Sequence, residues 1–121
     1  MVKILVAEDD KFLANAYRVK LSKAGYEIKI VSDGQQAIDS LETFTPDVIL
    51  LDLIMPIKDG FTVLEELKKN DKWKNIPVIV ASNLGQKEDI DKSMALGATD
   101  YIVKSQIPIA DVLVKINNVL K

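Results

Sequence analysis

Two side chains that carry much of enzyme chemistry are missing: among 121 residues there is no cysteine and no histidine. The first absence removes disulfides and thiolate metal sites. The second removes the imidazole base of Ser/His and Cys/His mechanisms and the commonest zinc ligand. Whatever chemistry the chain performs must run on carboxylates, hydroxyls and amines. Long apolar segments are lacking too, since a run such as Val48 to Leu51 is far too short to cross a bilayer, so no membrane association is expected. The stretch Val2 to Ala7 meets three acidic residues instead of a small-residue cleavage site, which reads as a strand and not a secretion signal; a cytoplasmic protein is expected. Nor is positive charge in excess. Sixteen basic against eighteen acidic residues leave −2, without the basic footprint that direct contact with nucleic acid requires.

What is present is a globular balance, 48% hydrophobic and 28% charged, at a length that suits one domain over residues 1–121 with no attached output domain. Five short β-branched runs stand out: Lys3 to Ala7, Glu27 to Val31, Val48 to Leu51, Ile76 to Ala81 and Thr99 to Val103. Each is followed by helical periodicity. The first helix places Leu13, Ala16, Tyr17, Lys20, Leu21 and Ala24 at three- and four-residue steps and stops at Gly25. The second carries Ala37, Ile38 and Leu41, and the third begins near Asp59 as its N-cap. The fourth runs from about Gln86 to Leu96, closed by Gly97, and the last opens at Pro108. A β-α alternation repeated five times predicts an α/β fold: a doubly wound, five-stranded parallel sheet of flavodoxin-like topology, strand order 2-1-3-4-5.

In such a sheet ligands bind beyond the carboxyl ends of the strands. Strand one runs into Glu8, Asp9 and Asp10, strand three into Asp52, strand four into Ser82 and Asn83, and strand five into Lys104. With strands one and three adjacent, Glu8, Asp9 and Asp52 converge. Three carboxylates so close repel one another unless protonated or bound to a cation, and oxygen ligands alone favour a hard ion such as Mg²⁺. An aspartate oxygen could then attack phosphorus while Ser82 and Lys104 hold the phosphoryl oxygens. Helix capping accounts for Asp10 and Asp59, but Asp52, between Leu51 and Leu53 and well before the next helix, has no such explanation. Ser82 alone reads as a turn serine and Lys104 alone as a solvated lysine; the constellation gives them roles.

These residues resemble the response-regulator receiver (CheY-like) domains along the whole chain. The resemblance rests on the pair Glu8 and Asp9, the segment Asp47 to Pro56 around Asp52, the following Asp59 and Gly60, the hydroxyl of Ser82 and Lys104. It implies that Asp52 accepts a phosphoryl group from a histidine kinase or a phosphotransfer protein. Asp9, Asp52 and the backbone carbonyl of Ile54 would bind Mg²⁺ directly, and Glu8 through water. Ser82 would move toward the phosphoryl group, and Tyr101 matches the aromatic that turns inward with it. The chain would be a signalling phosphoacceptor, catalysing only its own phosphorylation and dephosphorylation. Its downstream target protein would meet the fourth helix, fifth strand and fifth helix, where Met94, Ile107 and Ile109 are expected as exposed apolar groups.

Three departures from that family carry expectations of their own. Ser105 follows Lys104 where a cis-bonded proline is usual; cis to serine would cost about 2.5 to 4 kcal/mol, so a trans bond is expected. Asn83 replaces the common alanine and narrows access to Asp52. Ile54 and Leu84, at positions that influence acyl-phosphate hydrolysis, are apolar and should prolong the phosphorylated state. Three other readings compete. A pseudo-receiver would signal by constitutive contact, although the acceptor residues are all present. A haloacid-dehalogenase-like phosphatase needs a second acid where Ile54 stands, and a flavin binder needs a phosphate cradle where Glu8, Asp9 and Asp10 would repel one.

Overall fold

A computed structural model describes residues 1–120. The elements alternate as β1 (Lys3–Ala7), α1 (Lys11–Lys23), β2 (Glu27–Val31), α2 (Gly34–Ser40), β3 (Val48–Leu51), α3 (Gly60–Lys69), β4 (Val78–Ser82), α4 (Lys87–Ala95), β5 (Asp100–Val103) and α5 (Ile109–Leu120). All ladders are parallel and the sheet order is β2-β1-β3-β4-β5, as the alternation predicts. Strand side chains alternate between two covered faces. Leu5, Ala7, Ile49, Leu51, Val78 and Val80 pack with α2 and α3 residues, whereas Ile4, Val6, Val48, Leu50, Ile79 and Ala81 pack with α1 and α5.

Local chemistry sets the helix ends. The Asp10 carboxylate accepts from Phe12 N and Leu13 N at 2.9 and 3.1 Å, Asp33 caps α2 and Asp59 caps α3, each satisfying amides that the first helical turn cannot. Gly25 and Gly97 take left-handed φ values of 91° and 104° just beyond α1 and α4. Strand β4 starts and ends later than the sequence suggests. Pro77 has no N–H for the ladder, so pairing begins at Val78, and the bond from Lys104 N to the Ser82 carbonyl (2.9 Å) carries it through Ser82. Among the described residues no peptide bond is cis, so Lys104–Ser105 is trans as expected, and no helix is long and apolar enough to cross a membrane.

Candidate functional site

Parallel pairing brings the strand ends to one rim. Asp52 N donates to the Ala7 carbonyl at 3.0 Å and Glu8 N to the Val31 carbonyl at 3.0 Å, so the ladders extend one residue past β1 and β3 and set Glu8 beside Asp52. Ligand oxygens of Glu8, Asp9 and Asp52 lie within 4.8 Å of one another. Glu8 and Asp52 are buried, and Asp9 is exposed. Lys104, entering from the far edge of the sheet, donates to Asp52 Oδ2 at 3.0 Å and also to Glu8 Oε1. The remaining oxygens take backbone donors: Asp10 N to Glu8 Oε2 at 3.1 Å and Ile54 N to Asp52 Oδ1 at 3.3 Å.

Burial pushes the Glu8 carboxyl up to about 7; the hydrogen bond from Lys104 opposes this and the charge of Asp52 adds to it. Burial works against the Lys104 ammonium, but hydrogen bonds to Glu8 and Asp52 and their negative charge prevail and hold its pKa above the ordinary lysine value. A pocket of about 470 Å³ opens over these groups and is also lined by Ile54, Ser82, Asn83 and Leu84. Ser82 is fully buried, and its Oγ accepts from Leu84 N at 3.2 Å. The Tyr101 hydroxyl donates to the Leu84 carbonyl, so one residue joins the serine to the aromatic.

Glu8, Asp9, Asp52, Ser82 and Lys104 thus meet in one pocket with Ile54 and Leu84 at its wall, while Tyr101 reaches it through Leu84. Met94 is exposed on α4 as expected. Ile107 and Ile109 are not: both are half-buried against the α1/α5 core, because the turn into α5 folds them back onto it. Two features went unread in the sequence. One is the contact of Lys104 with Glu8, 96 residues apart. The other is Ile57, 81% exposed near the rim with φ 70°.

The profile of the response regulator receiver domain matches residues 4–116. The DNA-binding dual master transcriptional regulator RpaA of Synechocystis is 35% identical over 104 residues, 86% of this chain and 43% of that protein. The response regulator PleD of Caulobacter vibrioides is 35% identical over 111 residues, 92% of this chain and 24% of that protein. The chain therefore spans less than half the length of these relatives. Among solved structures, the receiver domain of the Francisella response regulator 1452 superposes with a TM-score of 0.90 at 32% identity, covering 99% of this chain and 97% of that one. On a match that spans nearly the whole chain, the protein belongs to the response regulator receiver domain family of two-component systems.

Proposed function

We propose that Asp52 takes a phosphoryl group, in a reaction that needs Mg²⁺, from the phosphohistidine of a histidine kinase or a phosphotransfer protein. The observation that carries this reading is the position of Asp52: a buried carboxylate at the base of an open pocket, with a lysine ammonium at 3.0 Å and two further carboxylates beside it. An oxygen-only donor set of this kind fits a hard divalent ion. Asp9, Asp52 and the backbone carbonyl of Ile54 would hold it, with Glu8 acting through water. When bound, the ion supplies countercharge to the carboxylates and to the phosphoryl oxygens.

The chain's own groups do the rest. An Asp52 oxygen forms the new O–P bond as the donor's P–N bond breaks, and the imidazole nitrogen keeps the electron pair. Lys104 pairs with one phosphoryl oxygen as a point charge and Ser82 donates to another. Later attack by water returns the free carboxylate and inorganic phosphate. Ile54 and Leu84 offer that water no hydrogen-bonding group, so the acyl phosphate is long-lived; changing both to polar residues should speed dephosphorylation at least several-fold, followed by loss of the phosphorylated mass over time. Movement of Ser82 toward the phosphoryl group would release Leu84 and Tyr101 and so alter the face made by α4, β5 and α5, where a downstream target protein binds. A cytoplasmic setting suits such a donor.

Incubation with Mg²⁺ and acetyl phosphate should add the mass of one phosphoryl group. The gain should vanish in Asp52→Ala; no gain, or a gain that survives that substitution, overturns the assignment.

A further inference from the structure

We propose that a second cavity, between α1 and the edge strand β2, binds a small organic oxyanion, a carboxylate or a phosphate ester, with Arg18 as its principal donor, and that this site is coupled to the acidic pocket beside it. The coupling rests on the metal reading above; the oxyanion site does not.

The cavity holds about 310 Å³, room for a small metabolite. Lys11, Ala14, Asn15 and Arg18 follow one another at three- and four-residue steps, so they share a stripe of α1 and form one wall. Ile30 of β2 and Ser32 just beyond it form the other. Ser32 is fixed in place, its amide and its hydroxyl both reaching Gln36 Oε1, at 3.0 and 3.3 Å. Ala14 and Ile30 give the cavity an apolar middle that suits the carbon frame of a ligand.

The charge pattern selects the ligand. Arg18 is the one arginine among sixteen basic residues. Among the described residues neither Arg18 nor Lys11 forms an ion pair. Glu8 also lines the cavity, but it already takes Lys104 and the Asp10 amide, so it needs no countercharge from Arg18. A guanidinium with no partner offers two parallel N–H donors to a carboxylate or a phosphate, and the exposed Asn15 amide adds a neutral donor beside it. Arg18 lies two turns, about 10 Å, along α1 from Lys11. Glu8 and Asp9 stand at the Lys11 end, where α1 begins, so the cavity is acidic at one end and the oxyanion belongs at the other.

Glu8 and Asp9 line both cavities. A divalent ion held by Asp9 would cancel charge at the acidic end and favour an anion at the Arg18 end; by linkage, the anion would favour the ion equally.

Succinate and glycerol phosphate, each against sodium chloride at equal ionic strength, are titrated into the metal-free chain while its backbone amide resonances are followed. Saturable shifts are expected at Asn15, Arg18 and Ser32. Saturation by either probe supports the site, and the tighter of the two names the oxyanion. Arg18→Gln should weaken binding about 10-fold or more, and Arg18→Lys by less, because the charge stays but the fork is lost. Arg18 is exposed, so both variants should melt with the native chain; Asn15→Ala, about 3-fold weaker in binding, is an independent check. Shifts that chloride reproduces, that are confined to Asn83 and Leu84 of the acidic pocket, or that persist unchanged in Arg18→Gln overturn the site. Saturating Mg²⁺ should tighten the oxyanion about 2-fold or more. A chain that binds Mg²⁺ without that tightening loses the coupling and keeps the site, whereas a chain that binds no Mg²⁺ overturns the metal reading instead.

Discussion

Ile57 is exposed and holds a left-handed backbone (φ 70°), a conformation that glycine and asparagine tolerate and a β-branched residue avoids. Nothing packed would be lost by replacing it, so Ile57→Asn should stabilise the protein by about 1 kcal/mol, read as a rise of a few degrees in thermal midpoint. Tyr17 makes the opposite kind of prediction. Burial, with the negative charges of Glu8 and Asp52 adding to it, raises its phenol above the ordinary 10.0. The fold therefore favours the neutral phenol, and the stability it contributes is complete below that pH and is lost as pH climbs beyond it. Tyr17→Phe should leave the midpoint near pH 7 little changed and hold it above the native value at still higher pH, measured by thermal melts across alkaline buffers. Of the site residues, Asp52 was legible because a lone aspartate between leucines has no capping role. The Lys104–Glu8 contact was not, because its two ends meet only when β5 joins the sheet, 96 residues on.

Among the helices, α4 is the one least held by burial. Its single buried residue is Ser93, whose hydroxyl bonds back to the Asp89 carbonyl, and its N-cap, Gln86, offers no side-chain bond. An added contact crosses to α3, where Lys92 Nζ lies 4.2 Å from the centre of the Phe61 ring. Phe61 itself follows Gly60, where an added Cβ would fall 2.3 Å from the Asp52 carbonyl oxygen, so the start of α3 lies directly against the end of β3. Loss of a solvent-exposed cation–ring contact corresponds to about a 2- to 5-fold change in a local opening equilibrium. Phe61→Leu should therefore speed amide exchange in α4 by that factor and leave the β3 amides unchanged, as read by hydrogen–deuterium exchange. The helix boundaries were readable from Asp10, Asp59, Gly25 and Gly97, since capping is local chemistry. The start of β4 was not, because Ile76 and Pro77 look strand-like until the missing N–H of the proline is set against its neighbours.

At the scale of the molecule, the parallel sheet sends its carboxyl ends and its chemistry to one rim. At the opposite rim Asp47 ties the loop before β3 to the start of β1: its Oδ2 accepts from Lys3 N at 2.8 Å and its N donates to the Lys3 carbonyl at 2.7 Å. Asp47→Ala should lower stability by about 1 kcal/mol, by chemical denaturation, and leave acetyl phosphate labelling unchanged. The architecture was legible because strict β-α alternation admits few arrangements, and the order β2-β1-β3-β4-β5 is the one that makes β1 and β3 neighbours. The same arrangement has a consequence in time. Synthesis runs from the N-terminus, so the three carboxylates exist well before their ammonium: Lys104 is made 52 residues after Asp52 and sits just past the last strand. A half-made chain that has paired β1 with β3 holds its acids together without the Lys104 ammonium, and protons or dissolved cations must offset their charge. The last strand then brings a countercharge in covalent form, as Lys104 reaches both Glu8 and Asp52.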